Sequence, residues 1–111
     1  MWTRVADLGV PEQGGLLQVS AGARTLVLAN HDGRLYALDD RCPHAGASLS
    51  AGNIDEGLLV CGWHGRAFDL TTGVCDGYQG LRAYPVEVRS DGIYVSVTEQ
   101  AMAPDLRAGT T

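Results

Sequence analysis

The sequence predicts an all-β domain, and three observations support this fold class. Short apolar runs recur along the chain with turn residues between them. No segment of ten or more residues sustains the 3.6-residue apolar period of an amphipathic helix. Near the carboxyl end, Val86 and Val88, and then Ile93, Val95 and Val97, alternate with polar residues. Such alternation is typical of antiparallel strands with one buried and one wet face.

The amino-terminal part of the chain contains four predicted strands, each bounded by turn residues. Glycine can take the positive φ that tight turns require, so residues 30–33, ending in Gly33, are predicted to close a hairpin between the third and fourth strands. The four strands are predicted at residues 2–6, 16–20, 24–29 and 34–38.

The middle of the chain changes character. Residues 41–57 are rich in Gly, Ala and Ser and are predicted to form a long loop. Two short strands follow at 58–60 and 66–70, and residues 74–80 are predicted to be a further loop. The last hairpin joins 86–89 to 93–97 through a turn ending in Gly92.

Length and charge limit the function classes. With 111 residues the chain is expected to form one domain. The net charge of -5 and the pI near 4.9 argue against a nucleic-acid partner and favour a partner with a basic docking patch. No apolar run has the length of a signal peptide or a membrane span, so we expect a cytoplasmic protein without a membrane contact.

Two short motifs carry the chemistry. One residue separates Cys42 from His44. After sixteen intervening residues a second pair follows, in which two residues separate Cys61 from His64. Thiolates are soft metal ligands and neutral imidazoles are borderline ones. A site with two of each narrows to tetrahedral zinc or to iron–sulfur chemistry.

The order of the ligands favours one of these alternatives. In zinc fingers the like ligands usually come in pairs, whereas thiolate and imidazole alternate here. Both cysteines can then reach one iron atom and both histidines the other, which suits a centre with two different metal ends. A structural zinc site, or reduced cysteines packed beside unrelated histidines, remains the competing interpretation. Cys75 lies outside this quartet, and it suits a reducing compartment.

Residues 42–49, residues 61–69 and the pair 72–73 resemble the two ligand loops of Rieske-type [2Fe–2S] proteins, in particular the small ferredoxins of bacterial oxygenase systems. The resemblance implies one [2Fe–2S] cluster. It assigns Cys42 and Cys61 to the inner iron and His44 and His64 to the outer, more exposed iron.

The chain departs from the high-potential branch of that family. Ala47 and Trp63 stand where this branch has disulfide cysteines, and Arg66 and Phe68 stand where it has hydroxyl groups that donate to cluster sulfur. Hydrogen bonds to the sulfurs raise the reduction potential, so the resemblance predicts a low-potential centre.

The family also implies an architecture. It consists of an antiparallel β-sandwich base with an inserted cluster-binding subdomain. On this pattern residues 1–97 form a single domain, with the base at about 1–40 and 81–97 and the subdomain at about 41–80. Residues 98–111 are predicted to be a flexible tail.

The function implied by the resemblance is that of a one-electron carrier, expected to be monomeric. It would accept electrons from a flavin-containing reductase and deliver them to a terminal oxygenase acting on an aromatic substrate. His31 is the one histidine left, too few for the mononuclear iron of an oxygenase, so no catalytic residue is predicted. The alternatives are a Rieske-like small subunit of a larger reductase such as nitrite reductase, and a zinc-stapled interaction module.

Overall fold

The computed structural model describes residues 2–41, 48–62, 65–75 and 78–97. Within these ranges it consists of β-strands and one 3₁₀ turn, and it contains no helix long and apolar enough to cross a membrane. The all-β prediction is therefore confirmed. The strands are β1 (Trp2–Ala6), β2 (Leu16–Ala21), β3 (Arg24–His31), β4 (Arg34–Asp39), β5 (Asn53–Asp55), β6 (Leu58–Val60), β7 (Ala67–Asp69), β8 (Val74–Cys75), β9 (Tyr78–Gln79), β10 (Ala83–Tyr84), β11 (Val86–Arg89) and β12 (Gly92–Ser96).

Most predicted strands lie where the apolar runs placed them, and the differences are short elements. The predicted loop at 41–57 contains the 3₁₀ turn Leu49–Ala51 and strand β5, while residues 42–47 lie outside the described residues. Strands β8 and β9 lie in the second predicted loop, and β10 was not predicted. These strands have two or three residues each, too few to show a period. The predicted tail at 98–111 also lies outside the described residues.

The strands form antiparallel sheets from two parts of the chain. Strands β1, β12 and β11 form one sheet, and β10, β4, β3 and β2 form another, which we call the central sheet. Strands β5, β6 and β7 form a third sheet, and β8 pairs with β9. The first two sheets use residues from both ends of the described chain and the others use the segment between, in keeping with the proposed insertion at about 41–80.

Strand β3 is buried on both faces. Its four consecutive residues 26–29 are each 0% exposed. Because side chains alternate along a strand, Leu26 and Leu28 face one core while Val27 and Ala29 face the other. The central sheet thus separates two apolar cores.

The first core lies between the central sheet and the sheet β1-β12-β11. Ile93 and Val95 of β12 pack there against Leu26, Leu28 and Ala37 of the central sheet. This packing is the β-sandwich base that the sequence predicted. The second core, which we call the ligand-side core, lies on the other face of the central sheet and contains Val27, Ala29, Leu38, Leu49, Leu59, Cys61, Phe68, Leu70, Cys75 and Leu81.

The 3₁₀ turn packs tightly against strand β6. A Cβ atom on Gly52, the residue after this turn, would overlap the carbonyl oxygen of Val60 and lie 3.2 Å from that of Leu49. The backbone N–H of Gly52 donates to the Leu49 carbonyl at 2.9 Å. The close approach of two backbones therefore requires glycine at this position. The backbone conformation does not require it, since any residue adopts a φ of -89°.

We expect Gly52→Ala to lower the free energy of unfolding by about 3 kcal/mol, because an added methyl group in a packed backbone contact forces the chain apart. Gly62→Ala is the matched control, since its Cβ would lie 3.5 Å from the nearest atom, an ordinary contact. Denaturant unfolding of both variants measures the difference. Equal losses of stability would contradict the close approach of the 3₁₀ turn and β6.

Tyr84 of β10 is hydrogen-bonded to a carboxylate of the neighbouring strand β4. Its ring is 5% exposed, and its hydroxyl donates to Asp39 Oδ1 at 2.6 Å. Burial first, and then the hydrogen bond and the negative charge of Asp39, raise the pKa of Tyr84 well above the usual value of 10.0. The folded protein therefore holds this proton at a pH where the unfolded chain releases it.

Stability should consequently fall as the pH rises above about 10, since ionisation then favours the unfolded chain. In Tyr84→Phe that contribution is absent. At pH 7 the variant is expected to be less stable than the wild type by about 1.5–3 kcal/mol, because a hydrogen bond to a carboxylate is lost. Above pH 10 the wild type is expected to lose about 1.4 kcal/mol more stability per pH unit than the variant. Urea unfolding between pH 7 and 11.5 measures both effects, and parallel pH profiles of the two proteins would contradict this assignment.

Candidate metal centre

The second predicted ligand loop begins at Cys61, directly after β6. Cys61 is 1% exposed and belongs to the ligand-side core. Its N–H donates to the Arg66 carbonyl at 2.8 Å, and its carbonyl accepts from the N–H of Gly65 at 3.1 Å. Both backbone groups of Cys61 thus close the loop at its base, continuing the ladder in which Val60 pairs with Ala67.

This loop carries its exposed part away from the core. Gly62 and Gly65 are exposed, whereas Cys61 is buried. Gly65 has a φ of +69°, a left-handed conformation that glycine adopts without strain. Trp63 and the predicted ligand His64 lie outside the described residues.

The first predicted ligand loop is described at its two ends. Cys42 and His44 fall within residues 42–47, which lie outside the described residues. Arg41 and Ser48 flank that segment, and both line one cleft of about 720 Å³. The chain therefore leaves and re-enters the described structure at neighbouring places, as a short ligand loop requires.

The return of the first loop packs against the beginning of the second. Leu49, 0% exposed, lies in the ligand-side core together with Cys61. A Cβ on Gly62 would be 3.5 Å from the Ala51 carbonyl and 3.8 Å from the Gly52 Cα. The fold thus places residues 49–52, the return of the first predicted ligand loop, beside Cys61 and Gly62 at the start of the second.

A buried carboxylate at the start of the first loop was missed by sequence reasoning. Asp40 is 5% exposed and accepts hydrogen bonds from Ser50 and Gln18. The available signal was the pair Asp39 and Asp40 immediately before the loop, but acidic pairs are common at strand ends. What distinguishes the two residues is their partners, which only the fold reveals.

The third cysteine also lies in the ligand-side core. Cys75, in strand β8, is 8% exposed. It thus packs as a small apolar residue, which is common for cysteine. Gly80 packs nearby, where a Cβ would be 3.5 Å from the Cys75 Cβ and 2.6 Å from the Phe68 ring. Cys75 therefore contributes to packing beneath the second loop.

The described residues test the predicted metal centre at one donor, Cys61. In ranges 2–41, 48–62, 65–75 and 78–97 there is no group of three or more His, Cys, Asp or Glu able to hold a metal ion, and three of the four predicted donors lie outside these ranges. Cys61 is buried at the base of a closed hairpin loop whose glycines are exposed. Cys61, the one predicted donor within these ranges, thus lies on the core side of its loop, and a thiolate donor there fits the donor set of a Rieske cluster.

Comparison with curated proteins gives relatives of very different lengths. Human apoptosis-inducing factor 3 is 32% identical over 94 residues, which are 82% of this chain but 16% of the relative. The 3-phenylpropionate/cinnamic acid dioxygenase ferredoxin subunit of Photorhabdus laumondii is 38% identical over 79 residues, 68% of this chain and 75% of the relative. The chain thus spans a small part of the human protein and most of the bacterial one.

Solved structures and family models give the same assignment. A chain in a complex of reduced oxygenase and oxidised ferredoxin in carbazole 1,9a-dioxygenase superposes with a TM-score of 0.76 at 31% identity, covering 86% of this chain and 92% of that chain. The model of the Rieske [2Fe-2S] domain matches residues 1–90. The ligand motifs, the fold and these similarities agree, and this chain belongs to the Rieske [2Fe-2S] domain family.

Proposed function

We propose that this chain is a one-electron carrier of the Rieske ferredoxin type, in which Cys42, His44, Cys61 and His64 bind one [2Fe–2S] cluster. When bound, such a cluster accepts and releases a single electron. The observation that carries the proposal is the burial of Cys61 beside the returning first loop, because it anchors one predicted thiolate where two ligand loops meet. By resemblance, Cys42 and Cys61 hold the inner iron.

The protein's contribution is to hold these ligands still. Cys61 is fixed by two backbone hydrogen bonds, and the strands β6 and β7 beneath it are paired with each other. Little backbone movement is then needed when the charge of the site changes. A ligand loop held by paired strands suits electron transfer better than a reaction on a substrate. We therefore assign the chain a carrier role rather than an enzymatic one.

The proposed electron exit lies at the histidine end. Gly62 and Gly65, which flank the segment containing His64, are exposed. The imidazole ligands His44 and His64 then offer the shortest path to a docked partner. We propose that this tip is the docking face.

The proposed acceptor is a terminal oxygenase, and the proposed donor is a flavin-containing reductase. Support for the acceptor comes from the similarity to a chain of a ferredoxin–oxygenase complex in carbazole 1,9a-dioxygenase. The relative named as a 3-phenylpropionate/cinnamic acid dioxygenase ferredoxin subunit favours an aromatic substrate for the oxygenase. The reductase is inferred from the family resemblance. We also propose that the carrier is cytoplasmic and monomeric.

A second candidate is a Rieske module within a larger redox assembly, such as a small subunit of a reductase. The observation that favours it is the human relative, in which the matching region makes up 16% of the protein. The two candidates differ in whether the purified protein is isolated alone or bound to a large partner. Size-exclusion chromatography of the protein from its native cells distinguishes them.

Replacing either imidazole ligand should abolish the centre. We expect His44→Ser and His64→Ser to lose the EPR signal of the reduced protein and most of the about two iron atoms per chain, because each removes a ligand of the outer iron. His31→Ser is the matched control, since His31 ends strand β3 and is assigned no metal. A colourless wild-type protein with one zinc per chain would instead support the zinc-stapled module.

Installing a hydroxyl near the cluster should raise its reduction potential. The unmodified protein is expected in the lower part of the Rieske range of about -150 to +300 mV. Arg66→Ser restores a hydroxyl two residues after His64 while keeping the carbonyl that accepts from the Cys61 N–H. A new bond favouring the reduced state by about 1.4 kcal/mol would raise the midpoint by about 60 mV for one electron.

Arg66→Ala is the control for this titration, because it removes the same positive charge without adding a donor. Spectroelectrochemical titration gives the midpoint of each protein. Equal midpoints for Arg66→Ser and Arg66→Ala, or a strongly positive midpoint in the wild type, would contradict the explanation of the low potential.

A further inference from the structure

We propose that Asp40 is a positioning residue that fixes both ends of the first ligand loop, an inference that rests on the proposed [2Fe–2S] site. Asp40 directly follows β4 and precedes the predicted ligand Cys42 by two residues. Asp40 and Ser96 are the buried polar residues within the described ranges. A carboxylate buried at this place requires several donors, since a buried charge without them is costly.

The hydrogen bonds of Asp40 reach three separate segments. Oδ1 accepts from the backbone N–H of Ser50 at 2.6 Å, and Oδ2 accepts from the Ser50 hydroxyl at 2.9 Å. Oδ2 also accepts from Gln18 Nε2 of strand β2 at 2.7 Å. The Asp40 N–H donates to the Thr25 carbonyl at 3.1 Å. One side chain therefore connects the start of the loop, its return and the central sheet.

The position calls for a carboxylate rather than any polar group. All three side-chain contacts of Asp40 are donors, and an ionised carboxylate offers acceptors on both oxygens. An asparagine has one acceptor oxygen and one NH₂ group. With its NH₂ toward the Ser50 N–H, that bond is lost. With its oxygen there instead, the Ser50 hydroxyl and the Gln18 amide must turn to accept from the NH₂, and every bond loses the charge of the carboxylate.

Through Ser50 the contact extends to the second loop. Ser50 lies in the 3₁₀ turn Leu49–Ala51, whose last residue approaches Gly62 and whose following residue, Gly52, abuts Val60. Val60 and Gly62 flank Cys61 on either side. A shift of Ser50 would therefore displace the first loop against the loop that carries Cys61, and the spacing of the two ligand pairs would change.

The neighbouring carboxylate has different partners. Asp39 Oδ1 accepts from the Tyr84 hydroxyl, and Asp39 Oδ2 accepts from the N–H of Arg82 at 3.1 Å. These contacts join Arg82 and Tyr84 of β10 and its approach to strand β4, and they do not reach the first ligand loop. Asp39 and Asp40 thus carry the same charge at adjacent positions but bind different partners, which gives a matched pair for mutagenesis.

The test compares Asp40→Asn with Asp39→Asn in the cluster-containing protein. Iron release to a ferrous chelator is measured well below the unfolding midpoint of each variant, together with the EPR line shape of the reduced protein. We expect Asp40→Asn to release iron about tenfold faster with broadened EPR lines, since a charge-assisted bond is lost. Asp39→Asn should stay within about twofold of the wild type and keep its line shape, because it leaves the bonds to Ser50 intact.

A smaller change decides the question where Asp40→Asn does not fold. Ser50→Ala removes the hydroxyl bond to Oδ2 and keeps the N–H bond to Oδ1. We expect about threefold faster iron release from Ser50→Ala, with the wild-type rate restored in Ser50→Thr, which keeps the hydroxyl. A general loss of stability would not be expected to follow this pattern of rescue.

The outcomes separate the two proposals. Suppose that the wild type holds a cluster and that Asp40→Asn releases iron at the wild-type rate with the wild-type EPR line shape. The positioning role is then overturned while the proposed function stands. Ser50→Ala decides in the same way where Asp40→Asn does not fold. Equal acceleration by Asp39→Asn and Asp40→Asn would also overturn it, since charge rather than contact would then matter. A wild type without iron overturns the proposed function, and the positioning role with it.

Discussion

The structure depends on the burial of both faces of strand β3. Its four apolar residues at 26–29 contact two cores at once, because alternate side chains point to opposite faces of the central sheet. One face supports the sandwich with β12. The other supports Leu49, Leu59 and Cys61, from which the two ligand loops extend. The ligand segments are therefore placed by the same strand that forms the centre of the base.

The described parts of the two predicted ligand loops are fixed by backbone contacts and burial. The backbone of Cys61 closes the second loop, and Gly52 permits the 3₁₀ turn to approach β6. Asp40 adds hydrogen bonds at the start of the first loop. Close packing and satisfied polar groups thus hold these parts of the chain.

Sequence reasoning succeeded where a pattern was long or chemically specific. The apolar run at residues 26–29, which lies between turn residues, and the alternation after Val86 both predicted strands. The Cys and His motifs led to the family, which the comparisons confirm. The four-residue ligand assignment stays a prediction, since Cys61 alone lies in the described part of the chain.

Strand β5 was not predicted, because its pairing with β6, and not its own composition, makes it a strand. The role of Asp40 could not be read from sequence either, since it arises from contacts with Ser50 and Gln18 at distances of 10 and 22 residues along the chain.

The two positions that lack hydroxyl groups differ in how freely they can change. Phe68 is 1% exposed in the ligand-side core, and its ring occupies the space where Gly80 has no side chain. Arg66 is only partly buried, and its backbone carbonyl accepts the hydrogen bond from the Cys61 N–H. Replacing the Phe68 ring would therefore disturb its packing against Gly80, whereas a substitution at Arg66 keeps the backbone carbonyl that closes the loop. Residue 68 thus contributes to the structure through its ring, and residue 66 contributes to the loop closure through its backbone.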